Sequence, residues 1–188
     1  SNLPLIIRDG GDDFASRGVS GSRGTKLICL SGKVNKPGMY EIEMGKISLR
    51  QIVEGLGGGA CNGIVKFVIP GGISTQALTD GELHAMADYG SLKEFGSSFG
   101  SGAVIVADSS IDAVDVACNA ADFFMHETCG ICFPCKEGNR QIHYLLDQIR
   151  QGKGERHYLE LIKEVGWTAC LAARCGLGQA CGNLVGSL

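Results

Sequence analysis

Residues 129–135 read Cys-Gly-Ile-Cys-Phe-Pro-Cys, so Cys129, Cys132 and Cys135 are each separated by two residues, and Cys175 follows forty positions after the run. The run contains no histidine or carboxylate. Four thiolates suit a soft metal, meaning an iron–sulfur cluster or zinc. Three cysteines at this spacing are more typical of cubane clusters, whereas zinc sites usually show two separated pairs. The pattern predicts a protein that transfers electrons rather than one that makes and breaks substrate bonds.

The sequence between the cysteines predicts how they meet. Apolar residues at helical spacing predict helices over about residues 137–151 and 155–165, and the short link at 152–154 makes them an antiparallel pair. The chain then returns to the level of Cys135 through a loop at 166–175. The apolar stripes are Ile142, Leu145, Leu146 and Ile149 on the first helix and Tyr158, Leu161, Ile162 and Val165 on the second.

The chain has nine cysteines, and those outside the motif allow more than one interpretation. Cys170 and Cys181 flank Cys175, and position in the sequence favours Cys175 as the fourth ligand only weakly. A zinc site made by the same four cysteines is also compatible with the spacing. Single cysteines in apolar or glycine-rich sequence are predicted to be unligated core thiols, and these are Cys29, Cys61 and Cys118.

The N-terminal half predicts a small β-grasp (ubiquitin-like) domain over residues 26–80. Strands at 27–30 and 39–42 flank a Lys-Pro-Gly turn and form a hairpin. Ser48 is placed to cap a helix that three glycines end, and a further strand at 65–69 follows. A hairpin, one crossing helix and a returning strand give an α+β unit.

The remaining segments are assigned by their periodicity. Residues 81–108 are predicted to be a connecting segment that contains a buried strand. From residue 109 to 188 the pattern is all helical, and Ser109 or Ser110 is expected to cap the first helix. Residues 1–25 show no sustained period and are predicted to be a linker or the tail of another domain. The predicted fold class is therefore α+β, a β-grasp domain followed by an all-α helical-bundle metal domain.

Composition narrows the class of protein. The chain has 188 residues, 44% hydrophobic and 20% charged, and a formal net charge of −3 without a basic block, which argues against a nucleic-acid partner. The longest apolar stretches are far short of a membrane span, and no signal peptide is visible, so direct membrane insertion is not expected. An odd cysteine count without a disulfide framework fits a reducing, cytoplasmic compartment.

The cysteine run and its surroundings resemble a known family. Residues 126–138 are similar to the E-S-C-G-x-C-x-P-C-R-x-G motif of the NADH-binding flavoprotein subunit of complex I and its relatives, with Thr128 and Lys136 in place of Ser and Arg. These relatives include subunits of NAD-reducing hydrogenases and NAD-dependent formate dehydrogenases. Residues 175–179, Cys-Gly-Leu-Gly-Gln, resemble the site of the family's fourth ligand. Residues 24–72 resemble its soluble-ligand-binding β-grasp domain.

The resemblance implies an electron-transfer module of an NADH-dependent oxidoreductase. It implies that Cys129, Cys132, Cys135 and Cys175 bind one 4Fe-4S cluster that passes single electrons between a flavin and downstream iron–sulfur centres. The implied partners are subunits of a redox complex, including a ferredoxin-like iron–sulfur subunit, in the cytoplasm or at the cytoplasmic face of a membrane. Nothing matches the family's FMN and NADH loops, so those cofactors are expected only in the intact parent protein. A fragment that is inactive alone is expected.

Two rival functions remain open from the residues alone: a zinc-stabilised structural module, and a protein-interaction module with incidental cysteines. No hydrolytic constellation is present in the sequence. His126 is placed either to hydrogen-bond a sulfide or simply to end the preceding helix. Trp167 is expected to be a core lid over the cluster.

Overall fold

The computed structural model describes residues 2–188, which divide into two compact units. One unit contains residues 2–72 and 78–109, and the other contains residues 73–77 and 110–188. The first combines a sheet with short helices, and the second is helical. The predicted α+β class, with a β-grasp unit and a helical unit, is confirmed.

The first unit is built on a mixed sheet. Its strands are β1 (Gly18–Val19), β2 (Ser22–Arg23), β3 (Thr25–Gly32), β4 (Gly38–Glu43), β5 (Val65–Ile69), β6 (Leu78–Thr79) and β7 (Ala103–Asp108). Among the described residues, β3 to β7 form a five-stranded sheet in the order β4-β3-β7-β5-β6, and β1 pairs with β2. β3 and β4 form the predicted antiparallel hairpin, with Ile28 opposite Tyr40. β7 lies at the centre, parallel to β3 and antiparallel to β5.

The alternation of β3 determines which cysteine is buried. Ile28 and Leu30 are each 1% exposed and face the core, whereas Leu27 and Cys29 point to the opposite face and are exposed. Cys61, in the loop before β5, is exposed as well. The prediction of core thiols is therefore wrong for Cys29 and Cys61, because strand alternation and a surface loop place them outside. It is confirmed for Cys118, which is 4% exposed.

The helix that crosses the sheet forms as predicted but ends in a wider turn. Leu49, Ile52 and Val53 are fully buried. Ser48 is the cap, since the Gln51 backbone N–H donates to Ser48 Oγ at 3.2 Å. The segment Gln51–Leu56 is π-helical, and the Gly57 N–H donates to the carbonyl of Ile52, five residues back, at 2.8 Å.

Two segments contain more regular structure than predicted. Residues 2–25 include α1 (Leu3–Asp9) and α2 (Gly11–Ser16) before β1; Ser1 lies outside the described residues. Both helices are short, which is why no sustained period is visible. Residues 81–108, predicted to be a connecting segment, contain α3 (Tyr89–Glu94), capped by the Asp88 carboxylate, and the central strand β7. This segment is therefore part of the sheet unit.

The second unit consists of helices. In chain order they are α4 (Ala113–Glu127), α5 (Phe133–Arg150), α6 (His157–Ala172), α7 (Gly176–Ala180) and α8 (Asn183–Ser187). The cap of α4 is Asp112, whose carboxylate accepts the Val114 N–H at 2.8 Å. The expectation of Ser109 or Ser110 is wrong, because α4 begins at Ala113, directly after Asp112.

The predicted apolar stripes build most of the core of this unit. Ile142, Leu145 and Leu146 of α5 are at most 5% exposed, and Ile162 of α6 is 3% exposed. Leu161, predicted to share that face, is 37% exposed and lies at its edge. Within residues 2–188, no helix combines the length and apolar content required to cross a bilayer.

Candidate metal centre

The cysteine run forms the turn between α4 and α5. Cys129 is exposed, Cys132 is half-buried just before α5, and Cys135 lies in the first turn of α5 with 5% exposure. Gly130 turns the chain with a φ of +78°, a conformation that favours glycine. The prediction that the helix begins near residue 137 is wrong. Pro134 is tolerated in the first helical turn, where no backbone hydrogen bond is lost, so α5 begins at Phe133.

The loop that leads back to Cys175 is shorter than predicted. α6 continues through Ala172, so the predicted loop at 166–175 is reduced to the three residues between α6 and α7. Gly166 does not end the helix; it is buried where α6 crosses Gly182. Cys175 is exposed and directly precedes α7.

Gly178 of α7 brings the returning segment against the cysteine run. A Cβ atom at this position would lie 2.9 Å from Cys135 Cβ and 3.1 Å from Cys135 Sγ. The Gln179 side-chain amide donates to the carbonyl of Ala173 at 3.0 Å and closes the turn that carries Cys175. The segment with the predicted fourth ligand therefore packs directly on Cys135.

Two polar side chains that sequence reasoning missed reach Cys135 Sγ. Thr128 Oγ1 lies 3.3 Å from the sulfur, and Asn139 Nδ2 lies 3.6 Å from it. Asn139 is 1% exposed and its amide also donates to the carbonyl of Phe124 at 3.4 Å. A signal for it was present in the sequence. Asn139 lies three residues before Ile142 and four after Cys135, so a polar residue interrupts the apolar stripe of α5.

The competing cysteines have different surroundings. Cys170 is half-buried within α6. Cys181 is 1% exposed and belongs to the apolar core of the helical unit. Burial, with smaller contributions from the Cys135 and Cys170 thiols, raises the pKa of Cys181 to about 11. Burial likewise raises the pKa of Cys118. Both groups are therefore protonated thiols at neutral pH.

Trp167, His126 and His143 of the helical unit are at least partly exposed. Trp167 is 64% exposed, so the expectation of a core lid is wrong; it occupies the outer face of α6. His126 is exposed at the end of α4. His143 pairs with Asp122 of α4 at 2.8 Å.

The structure does not assemble the four predicted ligands into a metal site. Within residues 2–188, no three His, Cys, Asp or Glu side chains form a group that could hold a metal ion. The chemistry of four thiols suits a soft iron–sulfur centre. Gly178, three residues after Cys175, packs against Cys135.

These features define a class of protein that combines a sheet unit with a helical unit, in which a cysteine-rich turn joins the first two helices. Residues 115–188 belong to the family described as the NADH-ubiquinone oxidoreductase-F iron-sulfur binding region. The family resemblance stated from the sequence is confirmed, and the match indicates a 4Fe-4S cluster in this unit.

Curated relatives extend the similarity beyond this region. The NADP-reducing hydrogenase subunit HndC of Solidesulfovibrio fructosivorans is 41% identical over 184 residues, which are 97% of this chain and 37% of that protein. An F-type subunit of the NADH-quinone oxidoreductase of Rhizobium meliloti (strain 1021) is 44% identical over 162 residues, which are 86% of this chain and 38% of that protein. The chain thus spans less than half the length of these relatives.

A solved structure supports the fold. The NAD+-reducing [NiFe]-hydrogenase in its H2-reduced state contains a chain that superposes with a TM-score of 0.86 at 31% identity. The superposition covers 98% of this chain and 31% of that chain. Both units of the fold therefore occur in a solved redox enzyme.

Proposed function

We propose that this chain is the electron-transfer module of an NADH-dependent oxidoreductase, with one 4Fe-4S cluster bound by Cys129, Cys132, Cys135 and Cys175. The observation that carries the proposal is the packing of Gly178 on Cys135, which joins the Cys175 turn to the cysteine run inside the region matched to the iron–sulfur family. A bound cluster supplies reversible one-electron transfer.

The proposed ligands of the cluster differ in how far they are shielded from solvent. Cys135 is buried in the first turn of α5, between Thr128, Asn139 and Gly178, and this side excludes water. Cys129 and Cys175 are exposed. We therefore place the approach of electron donors and acceptors on the side of these two cysteines.

The parent protein is larger than this chain. The chain spans 37% and 38% of the two relatives above, whose names refer to NADP and NADH. We propose that the nicotinamide chemistry, and the flavin that the family resemblance implies, belong to other parts of such a protein. We propose that the chain acts within a multi-subunit redox complex, next to a ferredoxin-like iron–sulfur subunit, and is inactive alone. All nine cysteines are free thiols, which supports a reducing, cytoplasmic location.

Metal analysis tests the proposal. The protein is purified without oxygen, iron and zinc are quantified, and EPR spectra are recorded after dithionite reduction. About four irons per chain and an EPR signal in the reduced state are expected for a 4Fe-4S cluster. Stoichiometric zinc, without iron after anaerobic reconstitution, would overturn the electron-transfer function and leave a structural metal module.

Substitution of single cysteines tests the fourth ligand. Cys175→Ser is expected to lose the cluster, whereas Cys170→Ser and Cys181→Ser, as matched controls in the same unit, keep the iron content of the wild type. A cluster that survives Cys175→Ser and is lost in one of the controls would assign that other cysteine instead.

A further inference from the structure

Two uncharged side chains from different parts of the helical unit contact the sulfur of Cys135. Thr128 Oγ1, in the loop after α4, lies 3.3 Å from Cys135 Sγ, and Asn139 Nδ2, one turn further along α5, lies 3.6 Å from it. Both distances are within the range of hydrogen bonds to sulfur. Cys135 is 5% exposed, so these contacts replace water at the sulfur.

The chemistry of the groups determines the direction of both hydrogen bonds. The Asn139 amide also contacts the carbonyl of Phe124, which can only accept, so the NH2 group is the end that faces both the carbonyl and the sulfur. A cysteine that ligates a metal is a thiolate without a proton. The Thr128 hydroxyl must then donate as well.

We infer that Asn139 and Thr128 are positioning residues that hydrogen-bond the Cys135 thiolate and raise the reduction potential of the bound cluster. The inference rests on the proposed function, in which Cys135 is a ligand. Hydrogen bonds to the sulfurs are one of the levers by which a protein sets the potential of an iron–sulfur cluster.

The direction of the change in reduction potential follows from charge. Reduction adds one negative charge to the cluster, and an N–H or O–H donor stabilises the more negative state more strongly. Loss of a donor therefore makes reduction harder. Because Cys135 is 5% exposed, little water reaches the sulfur to replace a lost donor.

The test is an EPR-monitored redox titration of the iron-loaded protein. Thr128→Val removes the hydroxyl at nearly constant size, and Thr128→Ser keeps it. Asn139→Leu removes the amide. For each loss variant we expect the reduction equilibrium to shift about tenfold toward the oxidised cluster, which is about 59 mV for a one-electron couple. Thr128→Ser is expected to retain the wild-type potential.

Two control variants distinguish a direct effect on the reduction potential from a merely structural role. Asn183→Leu removes an amide that donates to the carbonyl of Ser74 at 2.9 Å, and Thr168→Val removes a hydroxyl that donates to Glu164 at 2.9 Å. Neither donor is bonded to a cysteine, so these variants change stability but leave the potential unchanged. Should Asn139→Leu fail to fold, Thr128→Val against Thr128→Ser decides the question.

The possible results are distinguishable. If iron is bound and Cys135→Ser abolishes it, but the Thr128→Val and Asn139→Leu potentials equal that of the wild type, the inference fails and the proposed function stands. If the wild type binds no iron, or Cys135→Ser leaves the cluster intact, both fail. If the controls shift the potential as much as the loss variants, direct hydrogen bonding to the sulfur is overturned.

Discussion

At the scale of single residues, the candidate centre depends on Gly178, which has no side chain. Gly178 allows α7 to approach α5 so closely that a methyl group there would lie 2.5 Å from Ala173 Cβ and 2.9 Å from Cys135 Cβ. Neither neighbour is a flexible side-chain tip that could move away. The position therefore determines how closely the Cys175 turn approaches the cysteine run.

Gly178→Ala is expected to lower the iron content and to destabilise the helical unit by about 1–3 kcal/mol, the usual cost of overpacking. Gly176→Ala is the matched control, because it lies in the same short helix and a Cβ there meets nothing within 4 Å. Iron analysis and urea denaturation of both variants measure the two effects. Equal iron loading in both variants would show that this contact does not assemble the site.

The buried thiols give a prediction about reactivity in the cluster-free protein. The pKa of Cys181 is raised from 9.0 to about 11, so near pH 8 its thiolate fraction is about a hundredfold below that of a free thiol. Cys118, whose pKa burial also raises, is expected to react slowly too. Alkylation followed by mass spectrometry should label the exposed cysteines before Cys118 and Cys181; the exposed ones are Cys29, Cys61, Cys129 and Cys175. Labelling of Cys181 at the rate of Cys29 would contradict the described burial.

The raised pKa of Cys181 also affects the stability of the folded protein. A folded-state pKa above the unfolded value favours the protonated folded form, so this contribution is complete below about pH 9 and is lost as the pH rises toward about 11. The free energy of unfolding of the cluster-free protein should therefore fall across that range. In Cys181→Ala, urea denaturation as a function of pH should show a smaller fall.

At the scale of elements, the length of α6 depends on the packing of two glycines. A Cβ at Gly166 would lie 2.9 Å from Gly182 Cα, so α6 and the segment before α8 touch through their backbones. In the sequence, a glycine at this point of the helical pattern predicts the end of the helix. Here it marks a close crossing within a helix that continues for six more residues.

Gly166→Ala is expected to destabilise the helical unit by about 1–3 kcal/mol, because the neighbour is backbone and cannot rotate away. Gly186→Ala in α8 is the control, since a Cβ there is 3.9 Å from Lys163 and alanine favours helix by up to about 1 kcal/mol. Urea denaturation monitored by circular dichroism measures both. A Gly166→Ala protein as stable as the control would refute the close crossing.

The sequence predicted the elements whose signal is local and missed those that depend on tertiary contact. The apolar stripe of α5 and the short apolar run of β3 are local signals, so both elements were predicted, whereas the alternation of β3 that exposes Cys29 was not. The early start of α5, the continuation of α6 and the insertion of β7 beside β3 depend on distant contacts. At the site, the cysteines were evident from their spacing. Asn139 was visible only as a polar interruption of the apolar stripe of α5, and its contact with Cys135 depends on the tertiary fold.

At the scale of the whole molecule, each unit has an apolar core of its own. The core of the sheet unit includes Leu49, Ile52 and Phe99, and the core of the helical unit includes Phe124, Ile142 and Ile162. The proposed cluster ligands all belong to the helical unit. We therefore propose that the two units are domains whose stabilities respond differently to the metal.

Removal of iron by a chelator under anaerobic conditions should change hydrogen exchange in only one unit. Metal–thiolate bonds present only in the folded state contribute to its free energy, so their loss should accelerate exchange in α5 and α6, whose ends carry or adjoin the cysteines. The amides of β3 and β5 belong to a separate core and should keep their protection. Peptide-level exchange with mass spectrometry, before and after chelation, measures both. Equal loss of protection in β3 and α5 would show that the two units unfold as one cooperative unit. Unchanged exchange in α5 would show that this helix does not bind the cluster.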